Sequence, residues 1–146
     1  MKNKRKRETS SQPIPSEYSE QVAIFKRAHL YARRYPELRF LNGSLNGVRL
    51  TIGQAVKCKK AGMREGYPDL QLPARRGIYP GLYIELKRIK GGKIDPAQKD
   101  WAEFLISQGY MHRFCKGCDE AWGVIINYLN LKNEKQNRIL CQKESR

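Results

Sequence analysis

The sequence predicts a mixed α/β domain in which helices cover a single β-sheet. Segments with the 3.6-residue period of helices alternate with short segments that have the two-residue period of strands. Their order is helix, strand, helix, strand, strand, helix, strand, helix. The chain has 146 residues, which fits one domain of ordinary size. We therefore divide it into a disordered basic arm at 1–15, a folded domain at 16–130 and a polar tail at 131–146.

The first helix is predicted to run from Ser16 to about Tyr31. Ser16 can cap its N-terminus, and Glu17 and Glu20 lie in the first turn, where the helix dipole favours acids. A broad apolar sector recurs at helical spacing and consists of Tyr18, Val22, Ile24, Phe25, Ala28 and Tyr31. Glu20 projects about 20° beyond the edge of that sector, so it belongs neither clearly to the core nor clearly to solvent.

The elements that follow the first helix are short. Leu38 to Leu41 predicts a strand, and Asn42-Gly43 and Asn46-Gly47 are turn signals. Thr51 to Ala61 predicts a helix that Gly62 ends. A short loop then leads into the centre of the domain.

The centre of the domain is predicted to hold two strands, Asp69 to Leu72 and Leu82 to Arg88, joined by a turn region at 73–81. The side chains of a strand alternate between its two faces, so Glu85 and Lys87 share one face and lie about 7 Å apart. The leucines and the isoleucine of the same strand point to the opposite face. We expect the charged face to border a cleft rather than a dry core.

The next helix has a strong start signal. Asp95 occupies the N-cap, Pro96 the first helical position and Gln98 the third. A glutamine in that place is half of a capping box, which gives Gln98 a purely structural explanation. The helix is predicted to run to about residue 108. The elements after it are a strand at 110–114 and a helix at 119–129 capped by Asp119.

Net charge is the strongest compositional signal. Lysine and arginine number 29 against 14 acidic residues, which gives +15. Residues 1–12 carry +4 and residues 131–146 carry +3, which leaves +8 on the folded body. A body this basic predicts a polyanionic partner, most simply nucleic acid. The candidate DNA-binding residues are Lys57, Lys59, Lys60, Arg64, Arg88, Lys90 and Lys93.

Other classes of protein are disfavoured by the sequence. No apolar run approaches the roughly 20 residues that span a bilayer, and no signal-peptide pattern follows the basic start. We expect a cytoplasmic protein with no membrane partner and no small-molecule cofactor. Cys115 and Cys118 have the C-x-x-C spacing of half a zinc site, but the second half is missing. Reduced thiols are the simpler interpretation, and a structural zinc is the alternative.

An acid at the start of one strand and an acid-x-lysine pattern on the next have a chemical use. The carboxylates of Asp69 and Glu85 can hold Mg²⁺ or Mn²⁺, and the Leu86 carbonyl between Glu85 and Lys87 can add a further oxygen ligand. Such a cation lowers the pKa of a bound water and neutralises charge on a phosphodiester. Lys87 can orient that water or stabilise the transition state. The basic body supplies substrate binding.

Two motifs resemble those of the PD-(D/E)xK nuclease superfamily: Gly66-Tyr67-Pro68-Asp69 and Ile84-Glu85-Leu86-Lys87. Gln98 and Glu20 extend the resemblance to the VRR-NUC family, in its standalone phage or bacterial type, over about residues 17–130. The resemblance implies a restriction-endonuclease-like mixed β-sheet flanked by helices, with an αβββαβ core. It also implies a Mg²⁺- or Mn²⁺-dependent DNA endonuclease that acts as a homodimer on branched DNA, including four-way (Holliday) junctions.

The resemblance also assigns roles to single residues. It makes Asp69 and Glu85 the metal ligands and Lys87 the catalytic lysine. Glu20 is the implied auxiliary acid, near the metal directly or through water, although a first-turn acid has a structural explanation as well. Gln98 is the implied polar residue that the next helix contributes to the site.

Two other functions remain open at the level of sequence. A non-catalytic module could use the same basic charge to grip nucleic acid. Converging carboxylates weigh against it, because they repel phosphate unless a cation lies between. A zinc-stabilised interaction protein built on Cys115 and Cys118 is the other alternative.

Overall fold

The structure, a computed structural model, describes residues 13–45 and 50–132. Most of the predicted arm and tail, and the turn predicted at Asn46-Gly47, lie outside these residues. The elements in chain order are α1 (Glu17–Tyr31), a 3₁₀ helix (Pro36–Phe40), β1 (Asn42–Gly43), α2 (Ile52–Lys60), β2 (Leu70–Leu72), β3 (Leu82–Lys87), α3 (Pro96–Ser107), β4 (Met111–Lys116) and α4 (Gly117–Leu129).

The four strands form one mixed sheet in the order β1-β2-β3-β4. The pairs β1–β2 and β2–β3 are antiparallel, whereas β3 and β4 run parallel and are connected through α3. All six residues of β3 are buried, so both faces of this central strand are covered. The predicted mixed α/β class is confirmed.

The hydrophobic core lies between one face of the sheet and helices α1 and α4. Strand alternation sends Leu82, Ile84 and Leu86 to this face, and each is 1 % exposed. Ile24 of α1 and Ile125 of α4 pack against them and are fully buried. The opposite face carries Tyr83, Glu85 and Lys87 and is covered by α3. Because the apolar side chains of β3 are buried on one face, strand alternation places Glu85 and Lys87 on the other face.

The segment predicted as a strand at Leu38 to Leu41 is a 3₁₀ helix instead. Pro36 stands in its first turn, where its fixed φ and missing N–H are tolerated. The edge strand β1 forms two residues later, at the Asn42-Gly43 pair predicted as a turn. A Cβ on Gly43 would lie 2.5 Å from the Gln21 amide nitrogen of α1, so a larger residue there would require the Gln21 side chain to move.

The last helix begins at Gly117 rather than after Asp119, so the predicted Asp119 cap is wrong. Its N-cap is Lys116, whose side chain makes no capping hydrogen bond. The Glu20 carboxylate of α1 accepts a hydrogen bond from the Cys118 N–H at 2.7 Å and satisfies one of the free amides of this terminus. Asp119 forms an ion pair with Arg27 of α1 at 2.6 Å.

The other helix starts agree with the sequence. Ser16 caps α1, and Asp95 and Gln98 complete a capping box at α3. Helix α2 has a capping box of its own but contains no buried residue, so it stands apart from the core. Among the described residues, no helix is long and apolar enough to cross a membrane.

Gly66 provides a test of how the loop before β2 meets α3. Its φ of +76° is unfavourable for other residues, and an added Cβ would lie 2.5 Å from the carbonyl carbon of Ala97. We expect Gly66→Ala to lower the free energy of unfolding by at least about 2 kcal/mol. Gly53→Ala is the control: nothing lies within 4 Å of its added Cβ, and alanine favours the helix by about 1 kcal/mol. Urea denaturation measures both, and equal effects would contradict this packing.

Candidate active site

Two carboxylates meet where β2 begins. Leu70 pairs with Ile84 in the antiparallel register, so continuing by one residue sets Asp69 opposite Glu85 on the α3 side of the sheet. Asp69 is 8 % exposed and Glu85 is 4 % exposed. The register thus brings two acids together out of contact with bulk water.

Their buried position raises the pKa of both acids. Burial, followed by the charge of Asp69, raises the pKa of Glu85 to about 7, although Lys87 opposes the shift. Burial also raises the pKa of Asp69, against the opposing effects of the Leu86 N–H and Lys87. Ionising both carboxylates is therefore unfavourable unless another positive charge enters the site.

Lys87 and Gln98 hold the Glu85 side chain. The Lys87 Nζ donates to Glu85 Oε1 at 3.0 Å, and the Gln98 amide nitrogen donates to the same oxygen. The Gln98 carbonyl oxygen meanwhile accepts from the Asp95 N–H at 2.9 Å. Gln98 therefore completes the capping box and reaches the carboxylate at the same time, so its structural explanation and its predicted place in the site are compatible.

The backbone of Leu86 faces the same site. Strand β2 starts at Leu70, so β3 has no ladder partner on that side beyond Ile84. Asp69 Oδ2 takes the place of a strand and accepts the Leu86 N–H at 2.8 Å. The N–H and carbonyl of a strand residue point to the same edge, so the Leu86 carbonyl is directed toward the carboxylates.

The two acids of α1 have different surroundings. Glu20, the predicted auxiliary acid, is buried and bonds to the N-terminus of α4. Glu17 accepts from the Arg88 N–H at 3.2 Å, and its charge raises the pKa of both Asp69 and Glu85. From the sequence, Glu17 has only the explanation of an acid that the helix dipole favours. It lies seven residues before Ile24, two helical turns along the core-facing side, and that spacing could have identified it.

The predicted DNA-binding residues lie at the surface, and one of them lines a cleft next to Gln98. One cleft of about 370 Å³ is lined by Lys59, Gln98 and neighbouring residues, which places a predicted DNA-binding lysine beside the site. None of the seven predicted DNA-binding residues forms a salt bridge with another residue that the structure describes. All seven are exposed: Lys57, Lys59, Lys60, Arg64, Arg88, Lys90 and Lys93.

The cysteines offer poor metal ligands. Cys58, Cys115 and Cys118 are free thiols. Burial raises the pKa of Cys115 to about 12, and burial together with Glu20 raises that of Cys118 to about 11. Within 13–45 and 50–132, no group of three or more His, Cys, Asp or Glu side chains is gathered as in a metal cluster. Cys141 lies outside the described residues.

The donor set at β2 and β3 suits a hard divalent cation. Each acid has one oxygen engaged by a protein donor, which orients the carboxylate. Two carboxylates and a backbone carbonyl are oxygen ligands of the kind that Mg²⁺ and Mn²⁺ prefer. Burial raises the pKa of both acids, so their ionised forms are unfavourable there without a nearby positive charge.

The pKa of Glu85 predicts how stability depends on pH. Folding raises this pKa from 4.5 to about 7, so the contribution of Glu85 is most favourable below pH 4.5 and is lost as the pH rises through 7. We expect Glu85→Gln to raise the free energy of unfolding at pH 8 in EDTA by about 2 kcal/mol, with the gain shrinking toward pH 5. Urea denaturation across this range measures the difference. A variant less stable than wild type at pH 8 would contradict it.

Comparisons with known proteins identify the family of this chain. The model of the VRR-NUC domain family matches residues 16–119. A solved structure described as a VRR_NUC domain protein superposes with a TM-score of 0.69 at 29% sequence identity, covering 84% of this chain and 94% of the other. A comparison with curated proteins gave no match. The family match spans well over half of the chain, which therefore belongs to the VRR-NUC family of PD-(D/E)xK-type nucleases.

Proposed function

We propose that this nuclease is a divalent-cation-dependent DNA endonuclease that hydrolyses phosphodiester bonds in branched DNA, with four-way (Holliday) junctions as its preferred substrate. One observation carries the proposal. Asp69 and Glu85 are buried opposite each other, and Lys87 and Gln98 both bind one oxygen of Glu85. A phosphate-binding module gains nothing from two buried acids, which repel its ligand.

The proposed metal ligands are Asp69, Glu85 and the Leu86 carbonyl. A Mg²⁺ or Mn²⁺ ion bound there would activate a water and offset the negative charge of the phosphate. The Leu86 N–H donates a hydrogen bond to Asp69 Oδ2, and Lys87 and Gln98 both donate hydrogen bonds to Glu85 Oε1. The second oxygen of each carboxylate is then the atom presented to a ligand.

Lys87 is the proposed catalytic lysine. Its Nζ is held by Glu85 on the face that carries both acids, and its side chain is 7 % exposed. A positive charge fixed in so dry a site acts strongly on the charge that develops on a phosphate in the transition state. Gln98 is the proposed positioning residue, because its hydrogen bond to Glu85 Oε1 orients that carboxylate.

Glu17 is the acid of α1 that the geometry favours as the auxiliary residue. The resemblance assigns this role to Glu20, and that assignment stays a prediction. Glu20 already caps α4 through the Cys118 N–H. Glu17 is the acid whose charge acts on both Asp69 and Glu85. We propose that Glu17 adds negative charge to the cation site while Glu20 holds α1 against α4.

The basic residues around the clefts are the proposed DNA contacts. Helix α2 presents Lys57, Lys59 and Lys60 and buries no residue in the core, so it can lie along a phosphate backbone. Arg64 precedes Asp69 in the chain, Arg88, Lys90 and Lys93 follow Lys87, and all four are exposed and available to phosphates.

We further propose that the protein acts as a homodimer, because two copies related by a twofold axis can cut two strands symmetrically. A groove of about 640 Å³ on the outer face of α1 supports this proposal. It is mostly apolar and includes Tyr18, Val22, Phe25 and Leu30, of which Leu30 is 75 % exposed. Covering such a surface with a second copy would remove it from water.

Removing the acid or the lysine tests the catalytic assignment. We expect Asp69→Asn and Lys87→Ala to reduce Mn²⁺-dependent cleavage of a four-way junction by at least about 100-fold, because each removes an interaction with the reacting groups. Binding of the same junction in Ca²⁺ should change only a few-fold, by fluorescence anisotropy.

Lys99→Ala serves as the matched control, since Lys99 is an exposed lysine of α3 outside the proposed site. Its cleavage rate should stay close to that of wild type. Cleavage that survives both Asp69→Asn and Lys87→Ala would refute the site. A wild-type protein that binds junctions, forks and duplexes but cuts none would favour the non-catalytic module.

Glu17→Gln and Glu20→Gln separate the two acids of α1. We expect Glu17→Gln to slow cleavage at least about 10-fold without lowering the melting temperature, because it removes charge next to the site. Glu20→Gln should lower the free energy of unfolding by about 1 kcal/mol through its weakened cap, with a nearly unchanged rate per folded molecule. The reverse pattern would return the auxiliary role to Glu20.

A further inference from the structure

A second cleft adjoins the candidate active site and has no part in the proposed cleavage chemistry. Its volume is about 290 Å³, and its lining includes Leu45, Met63, Arg64, Tyr67 and Trp101. Met63 also lines the cleft that contains Gln98 and Lys59, so the two clefts are neighbours. We propose that this second cleft binds one unpaired nucleobase of the DNA substrate by stacking, a step that rests on the proposed nuclease function.

The aromatic rings of the cleft are held in fixed orientations. Tyr67 and Trp101 meet edge to face, with ring centroids 5.0 Å apart and an interplanar angle of 84°. The Trp101 indole N–H donates to the Glu65 carbonyl at 3.1 Å, and the Tyr67 hydroxyl donates to Gln71 at 2.7 Å. Both rings are half-buried and so retain accessible surface. Proteins that bind single-stranded nucleic acid stack bases on rigid aromatic surfaces of this kind.

The remaining groups of the cleft also fit a nucleotide. Arg64 is exposed at its edge and can meet a phosphate or lie over a base. Ser44 is a further lining residue, and its buried hydroxyl has no hydrogen-bond partner in the described part of the chain. A hydroxyl can both donate to and accept from the edge of a base, whereas an apolar peptide side chain would leave it unpaired.

The position of the cleft relates it to the scissile phosphate. Tyr67 precedes Asp69 by two residues, and Trp101 follows Gln98 by about one helical turn. A strand whose phosphate lies over the carboxylates therefore has a neighbouring nucleotide within reach of the rings.

The state of that nucleotide decides whether it can enter. A base inside a duplex is already paired and stacked, and extracting it costs the free energy of that pairing and stacking. A base at a branch point or in a single-stranded arm avoids much of that cost. The cleft would thus favour branched or frayed DNA without discriminating among base sequences, since every base has a face to stack.

Trp101 fluorescence tests the proposal. The chain has two tryptophans, and Trp122 packs edge to face with Tyr31 of α1, with centroids 5.4 Å apart. Trp122→Phe keeps an aromatic ring there and leaves Trp101 as the single indole. We expect a forked DNA with an unpaired nucleotide at the branch, added in Ca²⁺, to quench this fluorescence. The same fork with an abasic site at that nucleotide should not.

Affinity gives a second measurement that needs no variant. Wild-type protein should bind the intact fork at least about five-fold more tightly than the abasic fork, as expected from a stacking energy of about 1 kcal/mol or more. Equal affinities, or quenching by a fully paired duplex as strong as by the fork, would overturn the base-binding cleft. Neither readout requires cleavage. A protein that cuts DNA but treats both forks alike loses only this inference, and a protein that discriminates the forks but never cuts loses only the proposed activity.

Discussion

The antiparallel register of β2 and β3 is the constraint on which the candidate site depends. It sets Asp69 opposite Glu85 where little water reaches, and this burial raises the pKa of both groups. The fold tolerates this conflict because the other face of β3 is packed against α1 and α4, where each buried leucine or isoleucine contributes about 1.5–3 kcal/mol. Burying two like charges in this way lowers stability, a cost that is common where function needs an unfavourable charge arrangement.

Helix α3 contacts both β3 and the loop that precedes β2. Its first turn touches Gly66 through Ala97, and one turn later Trp101 holds the Glu65 carbonyl. Between these contacts, Gln98 binds Glu85. One short stretch of helix thus positions the loop that precedes Asp69 and the strand that carries the second acid. A change that moves α3 should disturb both carboxylates and the aromatic cleft together.

Sequence periodicity and capping signals predicted most of the architecture, because strand alternation and helix caps are local properties. They placed Glu85 and Lys87 on one face and identified the start of α3 at Asp95. Local signals failed where a contact distant in sequence decides the structure. The Asn42-Gly43 pair forms an edge strand because it pairs with Gln71 and Leu70 of β2, and α4 starts early because Glu20 supplies its cap. The aromatic cleft likewise joins segments that no spacing rule connects.

The most direct test of the central claim is a crystal structure grown with Mn²⁺ and measured at an energy where manganese scatters anomalously. We predict an anomalous peak bonded to the carboxylates of Asp69 and Glu85 and to the Leu86 carbonyl, and no peak at that place in Glu85→Gln. A protein that cuts DNA with Mn²⁺ bound elsewhere, or with the two carboxylates turned away from each other, would contradict the account.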